Sequence, residues 1–235
     1  ASRLHGPTGL AFDSSGDLYT TNFNNGTVEK FDSSGNGTIF VSDLTEPTCL
    51  VFDSSGYLYV ASQNTGTIEK FDTSGNGTIF ATGLELPFGL AFDSSGYLYA
   101  ANQSSGTIEK FDTSGNETIF ASGLNCPMGL AFDSIGNLYA ASFYGGTIEK
   151  FDSSGNGTTF ASHFNNPIGL VFDSSGNLYA TGWYSGTIEK FDSSGNMSLF
   201  ASGLSYPACI AIQIPEPCTL LFLGLGAAII RKFRA

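Results

Sequence analysis

The chain of 235 residues is 41% hydrophobic, enough to bury a substantial core, and nothing in its length demands more than one folded domain. A net charge of −12, with only nine Lys and Arg, argues against nucleic acid as a partner, because no basic patch exists to neutralise phosphates. Five of those nine (Lys30, Lys70, Lys110, Lys150 and Lys190) hold one repeated position, and Arg231, Lys232 and Arg234 crowd the C-terminus.

In chain order the dominant feature is a repeat. Pro7, Pro47, Pro87, Pro127, Pro167 and Pro207 lie 40 residues apart without slippage. Five complete copies occupy residues 7–46, 47–86, 87–126, 127–166 and 167–206, and partial copies occupy 1–6 and 207–213. Within the third copy four short runs suit strands, being β-branched, aromatic and roughly alternating: Gly89–Asp93, Leu98–Asn102, Thr107–Asp112 and Thr118–Ser122, termed a, b, c and d. Turn-rich residues separate them, and no helical period of useful length intervenes. A four-stranded meander repeated every 40 residues predicts an all-β chain folded as a β-propeller over 1–213. Three Phe per copy (Phe92, Phe111 and Phe120 in the third) are expected to pack between blades.

Each a–b and c–d junction carries FDSSG or a close variant, ten times in all, beginning at Phe12 and ending with the copy at Phe191. An Asp that accepts hydrogen bonds from backbone N–H groups two or three residues on, followed by Gly at positive φ, makes a compact hairpin turn. One Asp and two Ser are too few oxygens for a calcium loop, so this motif reads as scaffold. A meander places these turns on one face of the disc and the b–c and d–a loops on the other. The copies differ mainly in the latter two loops. The ligand-binding candidates are therefore Phe23, Asn24, Gln63, Asn64, Gln103, Phe143, Tyr144, Trp183 and Tyr184 in b–c loops, with His163, Asn165 and Tyr206 in d–a loops. Aromatic side chains flanked by Asn, Gln and Ser suit a carbohydrate or a protein ligand.

The run PFGLAFDSSGYLYAAN followed by GTIEKFDTSG resembles the NHL-type propeller repeat and the related gluconolactonase and streptogramin-lyase propellers. That resemblance implies six blades. Ala1–Gly6 aligns with strand d of an earlier copy, and Ala208–Ile212 supplies only a strand a. An upstream segment bearing b, c and d is therefore expected to complete a sixth blade from both termini, and the sequence reads as an N-terminally truncated fragment. The enzymatic relatives imply a metal held by acidic and amide ligands, or His with an acid and Mg²⁺. Here the residues leading into strand a read PTGL, PTCL, PFGL, PMGL, PIGL and PACI, without an acid. Asp43, Glu46 and Glu85 are the remaining acidic metal candidates, and none matches a family motif. The expectation is a binding module without catalytic residues or cofactor; a metal-dependent lactonase or lyase and a purely structural matrix protein are the alternatives.

Cys49 and Cys209 occupy a repeat position held by Gly in the other copies and are expected to be small buried residues; Cys126 and Cys218 complete the four. Seven N-x-[ST] sequons occur, five of them in c–d turns where Asn–Gly or a close variant suits a hairpin. Beyond Gln213 the composition changes to IPEPCTLLFLGLGAAIIRKFRA, with an uncharged run over Cys218–Ile230 and a basic end. Residues 214–235 are expected to form a short membrane helix, shorter than the roughly 20 residues of a standard span. This tail also resembles the PEP-CTERM sorting signal, with Pro215, Glu216 and Pro217 at the processing site and Arg231, Lys232 and Arg234 as the anchor flank. The resemblance implies a Gram-negative source, export, insertion in the inner membrane, processing by an exosortase and delivery to the cell envelope or an extracellular exopolysaccharide matrix.

Overall fold

The structure is a computed structural model that describes residues 4–213 and two further strands, 221–223 and 227–231. Five four-stranded antiparallel blades follow one another along the chain. Blade 1 comprises β1 (Pro7–Phe12), β2 (Leu18–Asn22), β3 (Thr27–Phe31) and β4 (Gly37–Val41). Blade 2 comprises β5 (Pro47–Phe52), β6 (Leu58–Ser62), β7 (Thr67–Phe71) and β8 (Gly77–Thr82), and blade 3 β9 (Pro87–Phe92), β10 (Leu98–Asn102), β11 (Thr107–Phe111) and β12 (Glu117–Ala121). Blade 4 comprises β13 (Pro127–Phe132), β14 (Leu138–Ser142), β15 (Thr147–Phe151) and β16 (Gly157–Ala161), and blade 5 β17 (Pro167–Phe172), β18 (Leu178–Gly182), β19 (Thr187–Phe191) and β20 (Met197–Ala201). A final inner strand, β21 (Cys209–Gln213), lies against both β17 and β1. Six inner strands thus close a ring, as the six-fold repeat of proline requires, and the fold is the expected β-propeller. The Gln213 amide reaches across that joint and donates to the Gly16 carbonyl at 3.1 Å.

Alternation explains how each blade is buried. On β7, Ile68 is fully buried and packs with Tyr59 and Ala61 of its own blade against Leu98, Ala100 and Phe111 of the next. Strand b contributes a tyrosine wedged between two phenylalanines: Tyr59 meets Phe80 and Phe92 edge-on at 5.1 and 5.0 Å, and Tyr99 meets Phe120 and Phe132 at 5.0 Å each. Such pairs add about 0.5–1.5 kcal/mol each beyond the area they bury. Phe92 and Phe120 thus lie at blade interfaces as expected, with Phe111 fully buried beside them. Glycine permits the close approach of inner strands: a Cβ on Gly89 or Gly129 would collide with the carbonyl oxygen of Met128 or Ile168 in the neighbouring blade.

Two expectations need correction. Cys49 and Cys209 are half-buried rather than enclosed in the core. Most of the tail, including Pro215, Glu216, Pro217, Cys218, Lys232 and Arg234, lies outside the described residues, and with it the expected sorting signal. The two described parts of the expected helix are strands, β22 (Leu221–Leu223) and β23 (Ala227–Arg231); β23 pairs parallel with β21. Among the described residues no helix is long and apolar enough to cross a membrane.

Candidate functional site

The face built by FDSSG turns is uniform and occupied with its own hydrogen bonding. In every copy the Asp Oδ1 accepts the backbone N–H groups two and four residues on; Asp93 receives Ser95 N at 2.9 Å and Tyr97 N at 3.0 Å. The second acceptance, at four residues, differs from the expected three and comes from the Gly at positive φ turning the chain back; Gly96 has φ 85°. In the c–d turns the Asn side chain also donates to the Asp: Asn116 Nδ2 reaches Asp112 Oδ2 at 2.8 Å. This amide, with the backbone N–H groups behind it, holds the Asp32, Asp72, Asp112, Asp152 and Asp192 carboxyls below the ordinary Asp range. The same bond commits the sequon Asn side chains to the turn. In the a–b turns the repeated lysine approaches the Asp, as in Lys110–Asp93 at 3.9 Å, while lying over the rings of Tyr97 and Tyr99 at 4.1 and 5.2 Å. All this holds the turns; it leaves this face no asymmetric chemistry.

The opposite face is built differently. Each b–c loop is strapped to the d–a loops on both sides: Gln103 N donates to Leu86 O at 3.2 Å, Ser104 N to Glu85 O at 3.3 Å, and Leu124 N to Gly106 O at 3.0 Å. These straps give the variable side chains a rigid support. On blades 4 and 5 they bring aromatic rings into one strip. Phe143 stacks edge-on with Tyr144 at 4.9 Å and lies 6.2 Å from Tyr184; Tyr184 lies 6.4 Å from Tyr206, which packs against Trp183 at 5.3 Å. Tyr144, Tyr184 and Tyr206 are 70%, 64% and 55% exposed. Phe143, expected as a contact residue, is instead buried; it is the floor on which the two tyrosines rest, and its carbonyl takes the Asn166 amide at 3.1 Å.

The strip ends at Tyr144 in a cleft of about 380 Å³, lined among others by Leu86, Gln103, Ser104, Asn125, Cys126 and Tyr144. Gln103 is oriented by its neighbours: it accepts from Gln63 Nε2 at 3.0 Å and donates to Met128 Sδ at 3.1 Å. Aromatic rings and amide groups therefore stand side by side. Among the other candidates, Asn64, Asn165 and His163 are exposed, with His163 Nδ1 at 3.0 Å from Ser162 Oγ. Phe23 and Asn24 stand on blade 1, and among the described residues they make no ring contact with the strip. Leu86 and Cys126 join the cleft although their residue types alone gave no reason to choose them; the signal is backbone geometry, since they have φ of 55° and 59°.

The acidic candidates do not form a site. Asp43 is taken by Ser42 Oγ at 2.7 Å, and among the described residues no three His, Cys, Asp or Glu come together as a metal site. At the inner strands the residue after each proline is Thr8, Thr48, Phe88, Met128, Ile168 or Ala208. Thr8 and Thr48 spend their hydroxyls on carbonyls of the adjacent blade, Thr48 on Pro87 O at 3.0 Å.

Comparison with known proteins agrees with this architecture. Residues 4–31 match the NHL repeat family model. No curated protein sequence matches the chain. Among solved structures, a gluconolactonase from Xanthomonas campestris superposes with a TM-score of 0.80 at 16% identity, over 92% of this chain and 80% of that one. Virginiamycin B lyase from Staphylococcus aureus gives 0.74 at 17% identity, over 87% and 73%. A chain of a nidogen/laminin complex gives 0.75 at 23% identity, over 83% and 79%. At these identities the likeness is one of fold. The segment matching the NHL repeat recurs at 40-residue intervals, and each recurrence is one blade of the β-propeller.

Proposed function

We propose that this propeller is a binding module that holds carbohydrate on the face of its b–c and d–a loops. The observation that carries the reading is the strip Tyr144–Phe143–Tyr184–Tyr206–Trp183, with three tyrosines more than half exposed and a polar cleft at one end. Sugar rings present apolar C–H faces and a rim of hydroxyls. Flat rings take the former, and the amides of Gln103 and Asn125 suit the latter. Exposed aromatics of this size cost solubility, so a contiguous group of them marks a contact surface. The neighbours in fold include both enzymes and a protein from an interaction complex. The residues leading into the inner strands here carry no acid and favour binding over lactonase or lyase chemistry.

The tail pattern supports a location. Pro215-Glu216-Pro217, an apolar run and a basic end fit an exported protein processed by an exosortase at the inner membrane and delivered to the envelope or exopolysaccharide matrix, where a glycan-binding face has ligands. The test is a glycan array probed with the full chain, followed by titration of the best hit. Saturable binding that is lost when Tyr144 and Tyr184 become Ala supports the reading. Binding to protein extracts alone, or to nothing, refutes it in favour of a protein partner or a structural spacer.

A further inference from the structure

The two faces differ in charge as much as in shape. Residues 4–213 hold five lysines and no arginine. Four of the lysines reach aspartates of the a–b turns: Lys30 meets Asp17 at 2.9 Å, Lys70 meets Asp53 and Lys110 meets Asp93 at 3.9 Å each, and Lys150 meets Asp133 at 4.0 Å. Lys190 holds the same repeat position and lies 5.6 Å from the centre of the Tyr179 ring. All five therefore serve the turn face. The loop face carries Asp43, Glu46 and Glu85, and among the described residues none of these acids forms an ion pair. Its basic side chains are His5 and His163; Arg3 lies outside the described residues.

The tyrosines repeat the contrast. On the turn face the exposed Tyr57 and Tyr97 each have a lysine ammonium over the ring, at 4.2 and 4.1 Å, where the negative π face attracts a cation. On the loop face Tyr144, Tyr184 and Tyr206 are more exposed, and among the described residues no lysine lies over any of them. The cleft beside Tyr144 is short of donors as well. Its Gln103–Gly106 wall continues from Asn102, which is fully buried and whose Oδ1 has no partner among the described residues; in blade 1 the equivalent Asn22 Oδ1 receives His5 N at 3.0 Å. Thr107 pairs with Asn102 and Glu109 with Ala100, so strand alternation puts Glu109 on the Asn102 face, and its Oε2 is likewise unpartnered. Glu85 is exposed and directly precedes Leu86 of the cleft wall, its carbonyl holding Ser104 N at 3.3 Å.

We propose that the ligand of this face is a cationic glycan, an oligomer of amino sugars with free ammonium groups. The inference rests on the carbohydrate reading above and specifies its charge. An ammonium carries donors and no acceptor, so it supplies what the strip and the cleft lack: a cation for the open tyrosine rings and for the Glu85 carboxylate. The C–H faces of the same sugars stack on Tyr144 and Tyr184. A uronic-acid or sulfated glycan would meet Asp43, Glu46 and Glu85 with no lysine to offset them. N-acetylation removes the cation and keeps the sugar ring, so it isolates the charge.

The test titrates the full chain calorimetrically with three hexasaccharides at pH 6 and low salt: glucosamine, its N-acetylated form and galacturonate. The expected result is that the glucosamine oligomer binds at least tenfold tighter than the N-acetylated one, by a margin that shrinks as salt screens it, and that galacturonate binds weakest. Glu85→Gln should cut that margin at least threefold while leaving the N-acetylated affinity and the thermal melt unchanged. Glu117→Gln removes an exposed acid at the start of β12, beside the c–d turn of the opposite face, and should change none of these. The inference is overturned, with the carbohydrate reading intact, if the N-acetylated or galacturonate oligomer binds as tightly as the glucosamine one. It is also overturned if Glu117→Gln narrows the margin as much as Glu85→Gln, since the attraction would then belong to the acidic chain as a whole. If no oligomer of any charge binds, the carbohydrate reading itself falls and this inference with it.

Discussion

Replacing Tyr144 and Tyr184 with Ala tests the aromatic strip directly. A tyrosine offers about 200 Å² of side-chain surface. At 70% and 64% exposure, roughly 130–140 Å² of each ring faces solvent and is available to a ligand. A stacked sugar covers one side, about half of that area, which at about 25 cal/mol per Å² gives roughly 1.7 kcal/mol per ring. Each single change should therefore weaken binding by at least tenfold, the equivalent of about 1.4 kcal/mol. Both rings rest on Phe143, so the double change should fall short of the product of the singles. The covered remainder of each ring limits the loss of stability to below about 2 kcal/mol, well within a domain's margin. Isothermal titration with the glycan selected on the array gives the affinities, and thermal melts give the stabilities. A Ser14→Ala and Ser15→Ala pair on the turn face is the control. Equal affinity in both double variants would show that the loop face is drift and that the strip does not bind.

Three other outcomes follow from the packing. Asp93→Ala removes an acceptor of two backbone N–H groups and a tyrosine hydroxyl, its side chain only 17% exposed, and should lower stability by about 1–3 kcal/mol without touching glycan affinity; Asp112→Ala, on a turn whose Ser114 and Asn116 are exposed, should lower the melting temperature by less. Stability should pass through a maximum on the acid side of neutrality. Burial raises the Glu69 and Glu109 carboxyls above 4.5, a strain relieved as pH falls through those raised values. The five c–d turn aspartates, held below 3.8, lose their contribution as pH falls further through their lowered values; a monotonic melting profile between pH 7 and 2 would contradict this. Ile210→Ala on β21, buried against Tyr179 and Ile188, should cost about 2–5 kcal/mol and promote self-association by loosening the closing strand; an unchanged melt would mean that five blades hold without it.

The propeller was legible because its determinants are local and repeated. Pro at 40-residue spacing marks the start of each inner strand, FDSSG marks the turns, and alternation such as fully buried Ile68 beside half-buried Glu69 sets the faces. Strand ends moved by only one or two residues, from Gly89 back to Pro87 for example, because a bulge between the proline and the second leucine-side pair lets the strand begin earlier. The strip was legible as a set of unusual loop residues, but its order was not. Nothing in FYGG announces that Phe143 turns inward to carry its neighbours, or that Tyr206 reaches Trp183 from the following loop. Those facts depend on contacts between blades, which a repeat read one copy at a time does not contain.

Backbone conformation separates the two faces more sharply than composition does. On the turn face all ten FDSSG-type turns place glycine at the left-handed position, from Gly16 at φ 83° to Gly195 at 82°. On the loop face the residue before each proline is also left-handed, because its carbonyl must turn to receive the next b–c loop, as Cys126 O receives Phe143 N at 3.0 Å. Gly6 fills that role in blade 1 at φ 67°, so glycine suffices. Yet the other copies carry Glu46, Leu86, Cys126, Asn166 and Tyr206 there, at φ of 50°, 55°, 59°, 56° and 48°. A side chain in this region costs about 1–2 kcal/mol, an expense glycine avoids. Four of those five side chains have work on the same face: Leu86 and Cys126 wall the cleft, Asn166 fixes the Phe143 carbonyl, and Tyr206 extends the strip. Strain retained where the rest of the fold shows how to remove it falls on the face proposed above as the binding surface.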